Sequence, residues 1–495
     1  MSELELKFEV PAGVVAALRA ELGRRGGRSS PLTAYYYDTP DFTLARHGVS
    51  LRLRREGRSW VQTLKAEGSS AIHRLEHNVS IRGASGVPPR LDLHRHKSGE
   101  AGAALRNALG KSEAKTLGVR YSTRITRFAC DLRIGNSVIE AAFDRGTIKA
   151  ESRSEVVCEL ELEHKSGPTR ALFDLAKAWS AYAGLWLSTR SKAERGVALA
   201  EVRSHRPATK ARKPRVDDDM TGTRFLRAVL RSTLDQVLAN ASEIASSGNQ
   251  TVDEEHVHQC RVGLRRLRTA LRELGPLDYR VDPQWERPLS EAFTLLGEAR
   301  DKVTAARAVQ PLLELTQAPL TQWQNDAEVD PVAAVRAVEF QSALLDLLGF
   351  ALEEDDGGPL QRAPAPAQLR ADLHARLAKL HAKVCAAGER FERLPFEQQH
   401  KTRKRLKRLR YLAEFVEPLS KDKAAKRYLA HLEPAQDAIG RHMDIAVAMQ
   451  RFSKDAQLDP RALFAARYLE AYLGNTARIA HVSLRAMAAA DPFWT

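Results

Sequence analysis

The pattern of apolar residues changes once along the chain, near residue 205, and this change limits the possible folds more than any other feature. Before that point, short stretches such as 4–10 and 157–163 alternate apolar and charged residues. A period of two is typical of β-strands with one apolar and one charged face. After that point, Ala, Leu, Arg and Glu recur with a helical period. We therefore predict an α+β protein of several domains, with a sheet domain followed by an all-α domain.

Residues 203–219 separate the two patterns and contain two prolines, many charges and few apolar side chains. This composition is typical of a flexible linker. We predict a sheet domain over 1–202, a linker over 203–219 and a helical domain over 220–490, with the two domains independent. Further predictions are helices near 11–24, 100–110 and 168–184, and a long connection over 353–368.

The formal net charge of +15 over 495 residues favours a polyanionic partner, which could be nucleic acid, an anionic membrane or polyphosphate. The four cysteines are widely spaced, which favours reduced thiols and a cytoplasmic location over a disulfide framework or a zinc site. The first residues are charged and no run of eighteen apolar residues occurs. We therefore expect neither a signal segment nor a membrane span.

The helical half contains an internal repeat. His258, Arg261, Leu264, Arg266, Leu267 and Arg268 recur 142 residues later at His400, Arg403, Leu406, Arg408, Leu409 and Arg410. Gly297 and Asp301 recur 143 residues later at Gly440 and Asp444. A duplication of about 140 residues explains both sets.

On a helix, the basic residues of each copy fall in one stripe beside a stripe of apolar residues. Seven of the ten residues 401–410 are Lys or Arg. Like charges at helical spacing repel by a few tenths of a kcal/mol per pair, so an anion should offset them. Guanidinium groups match phosphate oxygens because they donate two parallel hydrogen bonds. A solvated basic face is the alternative, and a metal role for the two histidines is less favoured because no second ligand follows at a suitable spacing.

The pattern His-x-x-Arg-x-x-x-Arg-Arg-Leu-Arg at 258–268, its echo at 400–410 and the two Gly-x-x-x-Asp motifs resemble the CHAD domain. The resemblance covers about 220–490, with Lys407 standing where the first copy has Arg265. It implies an all-helical module of two pseudo-symmetric four-helix halves that binds long-chain polyphosphate. The residues expected to bind it are His258, Arg261, Arg265, Arg266, Arg268, His400, Arg403, Lys404, Lys407, Arg408 and Arg410.

In the sheet domain, acids and bases share strand faces, as at Glu3, Glu5 and Lys7. If such strands closed into a barrel with these faces inward, buried charges of both signs would line a tunnel and would need partners. A triphosphate with divalent cations supplies both, because bases hold phosphate oxygens and carboxylates hold Mg²⁺ or Mn²⁺.

An ordered series of motifs carries a second resemblance, to the CYTH superfamily of triphosphate tunnel metalloenzymes, over about 1–202. The series comprises Glu3-x-Glu5-x-Lys7, the motif at 36–40, Leu51-Arg52-Leu53-Arg54, Arg74-x-Glu76, Glu159-Leu160-Glu161 and the motif at 191–196. The resemblance implies an antiparallel β-barrel tunnel with flanking helices. The chain departs from many members at Asn78, where they have a second glutamate.

The same resemblance assigns roles to individual residues. Phosphate would be bound by Lys7, Arg52, Arg54, Lys65, Arg124, Arg127, Lys192 and Arg195. Mg²⁺ or Mn²⁺ would be held by Glu5, Asp144, Glu159 and Glu161. The attacking water would be oriented by Glu3, Glu5 or Lys65.

These patterns favour hydrolysis of inorganic triphosphate to diphosphate and phosphate, together with polyphosphate binding. One alternative is an idle tunnel in a polyphosphate-binding protein. Another is action on thiamine triphosphate or nucleotides, including adenylate cyclase activity. Nucleic acid is a less favoured partner because the aromatic fraction is only 6% and no base-stacking motif occurs. The sequence does not indicate an oligomeric state.

Overall fold

The computed structural model describes residues 2–70, 73–81, 87–110, 116–203, 205–248, 252–314, 330–353, 366–420, 423–457 and 459–494. The side chains of residues 2, 3, 67, 69, 70, 73, 74 and 298–308 lie outside this description. The predicted roles of the Glu3 and Asp301 side chains, and most of the connection over 353–368, therefore fall outside the described residues.

The chain divides into two compact units that interleave along the sequence. Unit 1 comprises Met1–Lys210, Leu234–Cys260 and Val335–Glu353. Unit 2 comprises Ala211–Thr233, Arg261–Ala334 and Glu354–Thr495. Parts of the helical half thus belong to the same unit as the sheet.

Unit 1 is built on one antiparallel sheet whose order is β5-β4-β3-β2-β6-β7-β8-β1-β9. The strands are β1 (Ser2–Glu9), β2 (Arg28–Asp38), β3 (Val49–Glu56), β4 (Ser59–Ser70), β5 (His73–Ile81), β6 (Gly118–Ile134), β7 (Ser137–Ala150), β8 (Arg153–Ser166) and β9 (Trp186–Leu187). The predicted antiparallel sheet is confirmed.

The two ends of this sheet meet only briefly. β1 pairs with β8 through five residues and with β5 through Ser2, Glu3 and Leu4 alone. Among the described residues, no further pairs join β1 to β5. The predicted barrel is therefore an antiparallel sheet that is not closed along its length, because β1 pairs with β8 over one part and with β5 over the other.

The two faces of the sheet differ in composition, as the alternation predicted. One face packs its apolar side chains on short helices, for example Leu51 and Leu64 against Leu105. The other face carries the charged side chains, and Asp144 and Glu159 on it are fully buried. We call it the inner face, because charged side chains lose contact with water only where the sheet curls around them.

Five helices flank the sheet: α1 (Val15–Arg24), α2 (Thr43–Arg46), α3 (Gly99–Leu109), α4 (Arg170–Ala183) and α5 (Lys192–Ala200). The predicted helices near 11–24, 100–110 and 168–184 are confirmed as α1, α3 and α4. Helix α5 was not predicted. It begins with a capping box, in which the Ser191 hydroxyl accepts from the Glu194 backbone N–H and the Glu194 carboxylate accepts from the Ser191 backbone N–H.

In the part of the chain after residue 221 that the structure describes, the regular secondary structure is helical, as predicted. The helices are α6 (Gly222–Ser246), α7 (Glu254–Leu274), α8 (Glu286–Leu313), α9 (Pro331–Arg336), α10 (Val338–Leu352), α11 (Pro366–Gly388), α12 (Phe396–Val416), α13 (Ala424–Asp455) and α14 (Pro460–Ala488). Apart from the short α9, they form two runs of four, which matches the predicted duplication. No helix in the described ranges is both long enough and apolar enough to cross a membrane.

The segment predicted to be a flexible linker is hydrogen-bonded to α6 at two points. The backbone of Thr209 exchanges two hydrogen bonds with the Asn240 side chain, at 3.1 and 2.9 Å. The Ser232 hydroxyl donates to the Arg212 carbonyl at 2.7 Å. These hydrogen bonds attach the segment to α6, and its role as a flexible linker between the domains stays a prediction.

Candidate functional site

Three carboxylates converge on the inner face of the sheet. Asp144 on β7 and Glu159 and Glu161 on β8 each offer one oxygen, and these three oxygens lie within 4.8 Å of one another. The register places Asp144 opposite Glu159, and Glu161 follows two residues later on the same face. Clustered carboxylate oxygens are the ligands that Mg²⁺ and Mn²⁺ prefer, so this acidic cluster fits either ion.

Four cations contact the acidic cluster, and three of them, Lys192, Arg127 and Lys7, each contact two or more of its members or both oxygens of one. The Lys192 Nζ atom, from α5, lies 2.7 Å from Asp144 Oδ2 and 2.9 Å from Glu161 Oε1, and it also contacts Glu159. Arg127 on β6 donates from Nε and Nη2 to the two oxygens of Asp144, both at 2.7 Å. Lys7 on β1 lies 3.5 Å from both Glu159 and Glu161. A positive charge thus already stands where the carboxylates converge.

The charges in this cluster shift each other's ionisation. Burial alone would raise the pKa of Glu161, but Lys192, Arg127 and Lys7 lower it well below its ordinary value. Burial likewise opposes the charge on Lys192, and the surrounding carboxylates raise its pKa well above its ordinary value. Both groups therefore stay charged in spite of their burial.

Arg195, the second cation supplied by α5, contacts carboxylates on two strands, β1 and β8. Its Nη1 lies 3.2 Å from Glu159 Oε2 and 3.6 Å from Glu9 Oε1, and its Nε donates to Glu155 Oε1 at 2.7 Å. Glu9 and Glu155 were not predicted as site residues. The alternation could have identified both, since Glu9 follows Lys7 and Glu155 precedes Glu159 at even spacings.

Arginines dominate the inner face at β3. Arg52 and Arg54 lie side by side, and this neighbour, together with burial, lowers the pKa of Arg54. Arg52 Nη1 donates to the Tyr36 hydroxyl at 3.3 Å. Its Nε is buried without a hydrogen-bond partner among the described residues. A buried guanidinium donor of this kind suits an anionic ligand.

Lys65 and Glu76 form a buried ion pair between β4 and β5. Asn78, at the position where the family pattern has a glutamate, donates to Glu76 Oε1 at 2.6 Å and accepts from the Thr63 hydroxyl at 2.7 Å. The amide thus fixes Glu76 and does not add a carboxylate. Glu5 also belongs to the inner face, and burial together with Glu161 raises its pKa.

Arg124 is not part of this site. It lies on β6 three residues before Arg127, so the two side chains point to opposite faces, and Arg124 is exposed. Of the described residues predicted for the tunnel, the structure brings together Glu5, Lys7, Arg52, Arg54, Lys65, Arg127, Asp144, Glu159, Glu161, Lys192 and Arg195.

Helix α5 can approach the sheet because residue 196 is glycine. A Cβ atom there would lie 2.2 Å from the ring of Tyr121. Tyr121 in turn stacks on Tyr36, with ring centroids 4.7 Å apart. The glycine therefore sets how deeply Lys192 and Arg195 reach toward the acidic cluster.

Unit 2 carries a second group of cations, which we call the basic surface: Arg261, Arg265, Arg403 and Lys407. Arg261 and Arg265 on α7 lie over the ring of Phe293, 5.1 and 5.2 Å from its centroid. Arg403 on α12 lies 3.5 Å from Asp444. These residues come from both copies of the repeat.

Lys407 has the most perturbed environment on this surface. Burial, Arg265 and Arg403 lower its pKa to about 6, and the single acid Asp444 opposes them. Arg261 adds to the repulsion. Lys407 is therefore largely neutral at pH 7 unless an anion joins the cluster.

Several other predicted polyphosphate residues are bound to glutamates. Arg408 contacts Glu273, Arg410 donates to Glu414 at 2.8 Å, and Arg268 donates to Glu286 at 2.9 Å. Arg266 is almost fully buried and donates to the Arg212 carbonyl at 3.2 Å. The remaining members are Lys404, which is exposed, and His258 and His400, which are half-buried.

Comparison with known families accounts for both halves. Residues 1–197 match the CYTH domain and residues 228–453 match the CHAD domain. The chain carries a CYTH domain followed by a CHAD domain. The acidic cluster and its cations therefore lie in the CYTH domain, and the basic surface lies in the CHAD domain.

Individual relatives cover parts of the chain. An inorganic triphosphatase from Haemophilus influenzae is 32% identical over 169 residues, which are 33% of this chain and 44% of that protein. The chain thus spans less than half the length of this curated relative. A CHAD domain structure from Ricinus communis is 27% identical, covers 56% of this chain and 96% of its own, and has a TM-score of 0.46. A Hippeastrum protein with a dominant triphosphatase activity is 13% identical, covers 41% of this chain and 96% of its own, and has a TM-score of 0.30.

Proposed function

We propose that the CYTH domain hydrolyses inorganic triphosphate to diphosphate and phosphate, with Mg²⁺ or Mn²⁺ as the cofactor. The observation that carries this proposal is the buried convergence of three carboxylates and four cations on one face, with the arginines of β3 beyond them. The triphosphatase relative from Haemophilus influenzae supports the substrate class.

In this proposal Asp144, Glu159 and Glu161 hold the metal, and Glu5 lies beside them. The bound ion would neutralise charge on the transferred phosphoryl group. The phosphate oxygens are bound and oriented by the cations of the inner face, which are Lys7, Arg52, Arg54, Arg127, Lys192 and Arg195. Glu5 and Lys65 are the described candidates for orienting the attacking water.

A substrate panel tests this assignment. Phosphate release is measured from triphosphate, ATP, thiamine triphosphate and long-chain polyphosphate. We expect the highest kcat/KM for triphosphate. A preference for ATP or thiamine triphosphate would assign the tunnel to nucleotides or thiamine, and no turnover of any substrate would make the chain a binding protein only.

We further propose that the basic surface of the CHAD domain binds long-chain polyphosphate. Four cations from two helices lie together there beside Asp444, and burial together with the repulsion of Arg265 and Arg403 lowers the pKa of Lys407 to about 6. The test is competition between polyphosphate and duplex DNA for the full-length protein over a series of salt concentrations. We expect polyphosphate to displace DNA at every concentration, although both weaken as salt rises.

A further inference from the structure

Helix α5, which supplies Lys192 and Arg195 to the acidic cluster, is preceded by a segment that is hydrogen-bonded to the CHAD region. Leu187 N donates to Gln341 Oε1 at 2.8 Å, and Thr189 N donates to Ser242 Oγ at 3.0 Å. Ser242 on α6 and Gln341 on α10 fall within the residues that match the CHAD domain, yet both belong to unit 1. The entry to α5 is therefore fixed by residues outside the CYTH match.

Glu243 is the charged member of this attachment. It lies on α6 next to Ser242 and its side chain is only 2% exposed. Its Oε1 atom accepts from Arg206 Nε at 2.7 Å and lies 3.4 Å from Arg190 Nε, while Oε2 lies 3.6 Å from His205 Nδ1. A buried carboxylate needs such partners, because an unpaired charge there would be strongly unfavourable.

Two routes lead from Glu243 to α5. Arg206 Nη1 donates to Glu194 Oε1 at 2.6 Å, and Glu194 is the residue that closes the capping box with Ser191. The second route starts at Arg190, whose Nη2 lies 3.6 Å from Glu155 Oε1.

The second route ends at the acidic cluster. Glu155 Oε1 accepts from Arg195 Nε at 2.7 Å, and Arg195 Nη1 lies 3.2 Å from Glu159 Oε2. Alternating charges thus run from a CHAD-matched helix to a carboxylate of the acidic cluster, entirely within unit 1.

We propose that Glu243 is a positioning residue for the triphosphate site: through Arg206 and Arg190 it fixes the start of α5 and so the positions of Lys192 and Arg195. This inference rests on the proposed function. It means that the CHAD-matched helices α6 and α10 are part of the triphosphate site and not only an attached polyphosphate-binding module.

The test uses full-length Glu243→Gln, with Asp346→Asn as the matched control. Asp346 on α10 pairs with Lys177 at 2.7 Å in the same unit, and no hydrogen bond or ion pair among the described residues joins it to α5 or to the segment before it. Binding of inorganic triphosphate is measured by calorimetry without metal, so that turnover does not interfere. We expect Glu243→Gln to weaken triphosphate binding about tenfold, which is the effect typical of residues that orient a ligand-binding side chain without contacting the ligand. We expect Asp346→Asn to change the affinity less than twofold.

A double-mutant cycle separates positioning from general destabilisation. If Glu243 acts through α5, Glu243→Gln should have little further effect on triphosphate binding in a Lys192→Met background. In an Arg52→Gln background it should retain its full tenfold effect, because Arg52 lies on β3. Equal effects in both backgrounds would contradict the inference.

The outcomes distinguish this inference from the proposed function. Failure of the wild-type protein to bind triphosphate overturns both. If the wild-type protein binds triphosphate and Glu243→Gln binds it with the same affinity, the inference is overturned and the proposed function stands. If Glu243→Gln does not fold, Ser242→Ala provides the test, because it removes the hydroxyl that accepts from Thr189 N and Oγ1 and donates to the Leu238 carbonyl within α6. A twofold to threefold loss supports the inference and wild-type affinity contradicts it.

Discussion

Glu159 has no exposed surface, yet three cationic side chains contact its two oxygens. Burying an unpaired ion of either sign would be strongly unfavourable in free energy. The buried ions are tolerated here because each has a partner of opposite charge. Removal of Glu159 would deprive each of these three buried cations of one carboxylate partner. Glu159 therefore contributes both to stability and to the proposed metal site.

The substitution Glu159→Ala tests the metal assignment. We expect metal-dependent phosphate release to fall by at least about 100-fold, because loss of a direct ligand should exceed the effect of losing an outer-shell partner. The matched control is Glu163→Ala, which lies on the same strand and face but pairs with Lys165. Thermal unfolding of both variants shows whether the fold survives. Full activity of folded Glu159→Ala with Mg²⁺ would refute the assignment.

The pair Arg124 and Arg127 tests which face of β6 binds substrate. Arg127→Gln removes a guanidinium that contacts Asp144 and Glu161, whereas Arg124→Gln removes an exposed one. We expect Arg127→Gln to reduce kcat/KM for triphosphate by about 100-fold, by analogy with the loss of other charge-assisted contacts in buried sites. Arg124→Gln should remain within about twofold of wild type. Similar losses in both variants would contradict the assignment of the inner face.

Lys407 gives the basic surface a dependence on pH. Its pKa in the folded protein is about 6, below its ordinary 10.5. Between these values the unfolded state binds more protons, so stability should increase as the pH rises from 6. A bound polyanion raises the pKa of Lys407, so binding near pH 7.5 should take up about one proton per chain and weaken as the pH rises.

Calorimetry in two buffers with different ionisation enthalpies measures this proton uptake on binding of long-chain polyphosphate. Lys407→Met should abolish the uptake, whereas the control Lys404→Met, one turn earlier on an exposed position, should retain it. Binding by the wild type without proton uptake would show that Lys407 does not face the ligand.

At the scale of secondary-structure elements, α5 supplies the cations Lys192 and Arg195 to the inner face of the CYTH sheet. Gly196→Ala should increase the intrinsic helix propensity by about 1 kcal/mol. The added methyl group would lie 2.2 Å from the Tyr121 ring, however, so we expect steric displacement to outweigh propensity. The melting temperature and triphosphate affinity should both fall. Gly474→Ala in α14, where a Cβ meets nothing within 4 Å, should raise the melting temperature. A stabilised Gly196→Ala variant with normal affinity would contradict this account.

Local patterns identified much of the sheet and its charged face. Period-two alternation places Glu159 and Glu161 on one face of their strand. It places Arg52 and Arg54 on one face of another strand in the same way. Both predictions succeed because the alternation of side chains along a strand is a local property. The same rule excludes Arg124 once its strand is known to continue to Arg127 without interruption. The parity of the two positions could have shown this from the sequence alone.

Other features depend on contacts that are distant in sequence. The short β1–β5 pairing, the attachment of the predicted linker to α6 and the assignment of α10 to unit 1 join residues far apart in the chain. Helix α5 carries a Ser-x-x-Glu capping box that could have predicted its start. The glutamate partners of Arg408 and Arg268 lie on other helices, whereas Glu414, the partner of Arg410, lies four residues later on the same helix.

At the scale of the whole molecule, the net charge of +15 is divided between two kinds of anion site. Unit 1 combines acids with bases around a buried cluster, which suits a small condensed phosphate with a metal ion. Unit 2 presents bases from both copies of the repeat with few acids, which suits a long polyanion. In the proposed function the two sites share a preference for phosphate oxygens but differ in their need for metal.

The central claim is that the buried carboxylates hold a divalent cation against a bound triphosphate. Phosphate release from inorganic triphosphate by the full-length protein tests it most directly, measured with Mg²⁺, with Mn²⁺ and with excess chelator. The account predicts turnover with either ion and none in the chelator. Equal turnover with and without divalent metal, or no turnover of triphosphate under any of these conditions, would contradict it.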